Sequence, residues 1–340
     1  MEVSAHTVSQ WMLRIGDPSD TGEARRTAVL FAEQLGMDET ERGAIAISVT
    51  ELATNILKHA KHGSILAERL SINGTEGMRV LALDRGPGIR NIASALEDGY
   101  STAGTAGNGL GAVRRFSTLF DIYSMPDRGT AVLAEFWPMK NIPSNGPVEV
   151  GALSIALQGE PVCGDTWLVK SSRLTGWLMV ADGLGHGIYA AEAAREAERI
   201  LGEAASSSPA SIMQDCHDAL KKTRGAAVAI ATIDHDKKTL SFAGLGNISA
   251  VLARGGHTRG LASHNGTVGH QMARVQEFTF PWEDDSILIM HSDGLATRWN
   301  LEDYPGLLSK HPSLIAAILY RDFYRDRDDV TVLVARNHRG

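Results

Sequence analysis

The stretch Val180-Ala181-Asp182-Gly183-Leu184-Gly185-His186-Gly187 decides how the second half of the chain is read. The apolar run Gly176-Trp177-Leu178-Met179-Val180 that leads into it reads as a buried strand, and an alanine-rich helix is expected from about Ile188. Asp182 therefore stands at a strand's end. Upstream, Gly164-Asp165 introduces Thr166-Trp167-Leu168-Val169-Lys170, a second strand. If the two runs form a hairpin turning at about Ser172–Thr175, Asp165 lies opposite Asp182. Two carboxylates at one end of a ladder repel unless a cation lies between them, so a divalent metal is the economical reading.

Two further acids stand at strand ends in the same half. His291-Ser292-Asp293-Gly294 follows the strand Ile287–Met290, and Arg327-Asp328-Asp329 precedes the strand Val330–Ala335. A single Asp-Gly is usually a turn, but four acids on separate strands can converge on two metals. Other strands are expected at Val150–Leu157, Ala226–Ile233, Thr239–Ala243, Ala250–Leu252 and Val275–Phe280, with helices at about 188–204 and 211–222.

The whole chain of 340 residues is long enough for two domains. With 43% hydrophobic residues it can build sizeable cores, and no apolar run approaches the roughly 18 residues that span a bilayer. No signal core is visible near the N-terminus, so a cytoplasmic protein with no membrane partner is expected. Two cysteines are too few for a disulfide framework or a structural zinc site. The net charge of -7, without a long basic run, argues against nucleic acid as a partner.

In the first half, Trp11–Ile15 alternates like a strand, and Asp17-Pro18-Ser19-Asp20 caps a helix of about 21–35. Asp38-Glu39-Thr40-Glu41 opens a second, expected to reach about Lys61. Its buried stripe is Ile45, Val49, Leu52 and Ile56, whereas Glu51, Asn55 and His59 share another face. A polar face suits solvent equally well. After strands near 64–70 and 78–83 comes Asp84-Arg85-Gly86-Pro87-Gly88-Ile89, an acid at a strand's end followed by spaced glycines, which suits a nucleotide base. Gly107-Asn108-Gly109-Leu110-Gly111 then opens a helix to about Phe116, and glycines there offer amide donors to phosphate.

Each cluster is weak alone, but the ordered set Glu51…Asn55, Asp84-x-Gly86-x-Gly88 and Gly107-x-Gly109-x-Gly111 resembles the N, G1 and G2 boxes of the GHKL ATPases. It is most similar to the small anti-sigma-factor kinases that phosphorylate STAS-domain antagonists, over about Trp11 to Trp137. The resemblance implies ATP with Mg2+, the metal coordinated by Asn55, and Glu51 as the base for the acceptor hydroxyl. It further implies Asp84 on the adenine amino group, Gly86 and Gly88 shaping the base pocket, and Gly107, Gly109, Leu110 and Gly111 along the phosphates. A lid would span Asp98–Ala106, and His59 would pack or support. Histidine kinases share these boxes, but the short segment before the Glu51 helix leaves no room for a phosphoacceptor hairpin. Gyrase-type and chaperone-type ATPases would need transducer domains that the second half does not resemble.

The set Gly164-Asp165, Asp182-Gly183-Leu184-Gly185-His186-Gly187, Gly246-Asn247, Ser292-Asp293-Gly294 and Asp328-Asp329-Val330-Thr331 looks like the SpoIIE-like branch of the PPM-type serine/threonine phosphatases. That resemblance implies two Mn2+ or Mg2+ ions, bridged by Asp182 beside the Gly183 carbonyl and completed by Asp165, Asp293 and Asp328. Asp329 can exchange roles with Asp328. His186 is either an acid near the leaving oxygen or a residue that shapes the backbone. Hard ions of this kind lower the pKa of a water they hold, so phosphoester hydrolysis needs no thiol and Cys163 is read as packing.

The expected fold class is thus α/β (α+β) in two domains. A GHKL-type α/β sandwich with helices on one face of a mixed sheet occupies 1–140, a linker 141–148, and a PPM-type α-β-β-α sandwich 149–340. The expected partner is a STAS-domain anti-sigma antagonist or stressosome-type protein, with a sigma factor as a second candidate and a homodimer as a candidate assembly. The alternatives are an ATP-dependent module that binds an anti-sigma partner without catalysis, or an ATP sensor that controls the phosphatase.

Overall fold

Short apolar stripes and well-capped helix starts account for the first elements of the chain. The computed structural model describes residues 3–6, 10–72, 74–96, 109–138, 146–204, 208–272 and 274–338. Strand β1 (Val3–His6) precedes β2 (Gln10–Ile15) and helix α1 (Pro18–Gln34). The Asp17 carboxylate accepts from the Ser19 amide at 2.9 Å, while Asp20 accepts from the Gly16 and Asp17 amides. Asp38 and Glu41 repeat this reciprocal cap on α2 (Glu39–Asn55), satisfying amides that helix geometry leaves without partners. Ile45, Val49, Leu52 and Ile56 are buried as their spacing requires. The α-helical ladder stops at Asn55, where the sequence predicts helix to Lys61, and a single π turn, Ile56–Ala60, replaces it.

After β3 (Gly63–Ile72), β4 (Thr75–Asp84), the short α3 (Ile92–Ala95) and α4 (Gly109–Phe116), β5 (Leu119–Met125) and β6 (Gly129–Phe136) complete a sheet ordered β2-β3-β4-β6-β5. Every pairing in it is antiparallel. This corrects the expectation of a mixed sheet: Ile72 pairs with Thr75 across β3 and β4 and Met125 with Gly129 across β5 and β6, and strands joined by so few residues must be antiparallel. Ile65, Ala67, Met78, Val80, Val132 and Ala134 face the helical core. Alternation then sends Leu66, Glu68, Arg79, Leu81, Leu133 and Glu135 to the opposite face, and all six are buried as well.

The cover for that second face comes from far along the chain. Val8–Ser144 and Ser309–Arg321 form one compact unit, and Met1–Thr7, Asn145–Leu308 and Asp322–Gly340 the other. Within the former, Asp121 on β5 accepts from the His311 amide at 2.8 Å and from Lys310 at 3.1 Å, and Tyr320 reaches the Met12 sulfur at 3.6 Å. On the covered sheet face Arg79 bridges Glu68 and Glu135 across three strands.

In the other unit, β7 (Val148–Ile155) leads to the hairpin β8 (Asp165–Ser171) and β9 (Thr175–Gly183), then α5 (Ile188–Glu203) and α6 (Pro209–Leu220). Next come β10 (Ala226–Asp234), β11 (Thr239–Leu245), β12 (Ser249–Arg254), β13 (His257–Leu261), β14 (Phe278–Pro281) and β15 (Ile287–His291). Helix α7 (Pro312–Phe323) belongs as far as Arg321 to the unit of Val8–Ser144, and β16 (Val330–Asn337) ends the order. The sheets run β1-β8-β9-β10-β11-β14 and β13-β12-β15-β16-β7. Trp167, Val169, Leu178 and Val180 from the first pack with Leu288, Met290, Leu333 and Ala335 from the second, and the alternate residues Leu168, Met179 and Ala181 pack under α5 and α6. Two sheets share a core, with the two helices outside one of them.

Candidate functional site

The β8–β9 hairpin has the register that the sequence predicts, with Asp165 paired to Asp182. Asp165 is 5% exposed, and its Oδ2 is buried without a hydrogen-bond partner among the described residues. Its carboxyl is pushed well above the ordinary range, chiefly by burial and next by the charge of Asp182, against a lowering hydrogen bond from Ser292. Asp182 is pushed up to about 7, by burial first and then by Asp293 and Asp328, while a hydrogen bond with Asp165 opposes the shift. Four acids from four strand ends therefore feel one another's charge, as expected of a site arranged for cations.

Each neighbour has a reason to be where it is. Gly183 is required because a Cβ there would lie 2.0 Å from the Ala190 carbonyl. Asn247 donates to Asp293 at 2.7 Å, which orients that carboxylate. Gly246, at φ +97°, lets its turn sit on Ala227, the residue paired with Asp182. Asp328 and Asp329, interchangeable in the sequence, separate here. Asp329 is 2% exposed and accepts from the Leu157 and Gly164 amides at 2.7 and 2.8 Å, one on each oxygen. Asp328 instead accepts the Asp329 amide on one oxygen, and its carboxyl is raised by burial and then by Asp293. Asp329 thus ties two loops together.

Among the described residues no three His, Cys, Asp or Glu side chains close directly on one point. The donor set fits hydrated Mg2+ or Mn2+ ions, which keep several waters and reach some carboxylates through them. The orphaned Asp165 oxygen and the raised Asp182 carboxyl are the observations that fit. Cys163 is held well above the ordinary thiol range by burial and by Asp165, so it stays protonated and packs. A residue missed by sequence reading is Glu160, whose Oε1 lies 2.6 Å from His186 Nδ1. No motif marks it, because the pairing exists only once the loop after β7 folds against the loop after β9.

On the nucleotide side, Asp84 Oδ1 accepts from the Gly86 amide at 2.8 Å and from Thr130 at 3.2 Å. Its carboxyl is raised by burial, against those amides, Arg321 and His59. Both glycines that follow are sterically required: a Cβ would come within 2.7 Å of Ala60 at Gly86 and within 2.0 Å of the Met125 carbonyl at Gly88. The π turn brings Ala60 to Gly86, and a Cβ on Gly109 at the start of α4 would lie 3.9 Å from Asn55 Nδ2 and 4.0 Å from Glu51 Oε2. Leu110 and Gly111 are buried. Asp84, Gly86 and Gly109 thus lie close to the end of α2 and the π turn after it, and such close backbone approaches fit a nucleotide. Gly107 and the expected lid, Asp98–Ala106, lie outside the described residues. Gly129, which carries no motif, is also required, since at φ +84° a Cβ would lie 2.1 Å from the Asp84 carbonyl.

A glycine-lined cradle and a cluster of strand-end acids define a chain that couples a kinase-like ATPase fold to a metal-dependent phosphatase fold. Residues 16–136 match the histidine kinase-like ATPase domain and residues 175–338 match Stage II sporulation protein E (SpoIIE), so the chain carries an ATPase-like domain and a SpoIIE-type phosphatase domain. It is 35% identical over 128 residues to the serine/threonine-protein kinase RsbT of Bacillus subtilis (strain 168), covering 38% of this chain and 96% of that one. It is 25% identical over 201 residues to the phosphoserine phosphatase RsbX of the same organism, covering 58% and 99%. A solved chain described under "the bacterial stressosome: a modular system that has been adapted to control secondary messenger signaling" is 29% identical, with a TM-score of 0.52 over 56% of this chain and 99% of that one. RsbX in complex with magnesium shares the fold at 23% identity, with a TM-score of 0.51 over 58% and 99%. The architecture is that of a partner-switching regulator with a protein serine/threonine phosphatase domain. Among the described residues no helix is long and apolar enough to cross a membrane.

Proposed function

We propose that the chain is a bifunctional partner-switching enzyme, with residues 149–340 removing phosphate from phosphoserine or phosphothreonine on a STAS-domain protein and residues 1–140 binding ATP to phosphorylate a serine on the same class of protein. The observation that carries the first activity is Asp165 facing Asp182 with an unpartnered buried oxygen. Asp165, Asp182, Asp293, Asp328 and the Gly183 carbonyl would hold two divalent ions. When bound, such ions supply Lewis acidity and activate the attacking water. His186, oriented through Nδ1 by Glu160, keeps Nε2 to give a proton to the departing serine oxygen. Replacing Asp182 by Ala should abolish Mn2+-dependent release of phosphate from a phosphoserine protein, and full activity in that variant would sink the assignment.

In the ATP reaction, Asp84 keeps Oδ2 for the adenine amino group because the Gly86 and Thr130 amides both bind Oδ1. Asn55 would hold Mg2+ against the phosphates. Glu51 takes the acceptor hydroxyl's proton as the serine oxygen bonds to the γ-phosphorus and the β–γ bridging oxygen leaves with ADP. Transfer of labelled phosphate from ATP to a STAS-domain protein tests this, with Glu51→Gln expected to bind ATP and transfer none.

A second reading has one observation of its own. Arg321 donates to the Asp84 carbonyl at 2.9 Å, from a segment whose flanking residues belong to the phosphatase-bearing part of the chain. ATP would then be a ligand that sets partner binding or phosphatase rate, without phosphotransfer. Phosphatase rates that do not change with ATP concentration would remove its gating form.

A further inference from the structure

The carboxylates at the candidate metal site outnumber the charges of two divalent ions. Asp165, Asp182, Asp293, Asp328 and Asp329 are joined by Glu160, which acts on Asp329. A phosphomonoester dianion approaching such a site meets residual negative charge unless a cation of the protein faces it. Arg224 is an exposed cation beside the loop that carries Asp182 and His186. No hydrogen bond or ion pair ends on it among the described residues. Its guanidinium stands 4.9 Å from the centre of the Tyr189 ring. Its Nη1 lies 3.1 Å from where a Cβ on Gly185 would be, and Gly185 has φ +87°. The backbone fixes the same arrangement, since Gly225 accepts from the Leu184 amide at 3.0 Å and Ala227 pairs with Asp182.

Resting on the phosphatase reading above, we propose that Arg224 is a substrate-binding residue that grips the phosphoryl oxygens, with Tyr189 and Gly185 as its positioning residues. The forked, permanently charged guanidinium suits phosphate, and stacking on an aromatic ring orders it before substrate arrives. Gly185 matters because a side chain there would meet Nη1 and move the guanidinium off the loop carrying Asp182 and His186.

The test uses the full chain with Mg2+ and inorganic phosphate as probe in calorimetry, beside hydrolysis of p-nitrophenyl phosphate and of a phosphoserine protein. Arg224→Ala should weaken phosphate binding and raise KM for both substrates by tenfold or more, with Mg2+ affinity and melting temperature unchanged. Arg224→Lys should recover part of the loss, Tyr189→Phe should match wild type, and Tyr189→Ala should fall between. Unchanged phosphate binding in Arg224→Ala overturns the proposal while leaving the phosphatase reading intact. A KM rise confined to the protein substrate also overturns it, because Arg224 would then read the polypeptide. A wild type that neither hydrolyses p-nitrophenyl phosphate nor binds phosphate removes the phosphatase reading and this assignment together.

Discussion

Asp182 and Asp165 hold protons at pH values where an ordinary aspartate has lost them, and that has a sign in stability. An ordinary aspartate loses its proton near 3.8, and burial with the neighbouring acids pushes Asp182 of the ion-free fold up to about 7. Between these, the unfolded chain has released a proton that the folded chain keeps. Stability of the ion-free protein therefore falls as pH rises through this window, by about 1.4 kcal/mol per pH unit for one such group. Asp165, shifted in the same direction, adds to the fall. Melting of EDTA-treated protein from pH 5 to pH 8 should show the decline, Mn2+ should raise the melting temperature more at pH 8 than at pH 5, and Asp182→Asn should flatten the EDTA curve. A flat or rising curve for the EDTA-treated wild type would contradict the clustering of these acids.

The adjacent acids offer a cleaner separation. Asp328→Asn should weaken Mn2+ binding with little change in denaturation midpoint. Asp329→Asn turns an amide NH2 towards a backbone N–H that Asp329 now accepts, so it should cost about 1–3 kcal/mol of stability. Calorimetric Mn2+ titration beside urea denaturation distinguishes them, and the reverse pattern would reassign the ligand. The Asp-Asp pair was visible in the sequence, but which oxygen meets a backbone amide depends on loops from distant residues.

Among elements, the end of α2 shows most clearly what periodicity reads and what it misses. The buried stripe through Ile45, Val49, Leu52 and Ile56 was legible because helix spacing and burial coincide. The π turn at Ile56–Ala60 was not, since nothing in its composition differs from ordinary helix. Gly129 has the same character, as its need for a bare Cα arises from the strand β4 beside it. Gly129→Ala drives a Cβ into the Asp84 carbonyl and should lower ATP affinity at least tenfold in equilibrium dialysis, with a stability loss of about 1–3 kcal/mol. Wild-type affinity would show that the backbone at Asp84 yields without cost.

For the whole molecule, the informative finding is that Ser309–Arg321 belongs to the unit built by Val8–Ser144. Leu66, Leu81 and Leu133, with the Arg79 ion pairs, occupy a sheet face buried in that unit. Residues 8–144 produced alone should expose this face, and should aggregate or unfold at lower urea than the same residues with 309–321 supplied through a linker. Equal midpoints and a monomer in light scattering would show that the segment contributes nothing there.

What the sequence by itself determined is what short-range rules encode: capped helix starts, alternating strands, and the hairpin that pairs Asp165 with Asp182. The motifs then pointed to an ATPase-like domain and a SpoIIE-like phosphatase domain, because phosphate cradles and ion sites demand particular residues at particular spacings. Tertiary structure alone decided that Glu160 meets His186, that Asp329 rather than Asp328 takes the Leu157 and Gly164 amides, and that a late helix segment covers an early sheet. Those contacts join residues far apart in the chain, and they form because burial leaves backbone amides, carboxylates and apolar faces that only a distant segment can satisfy.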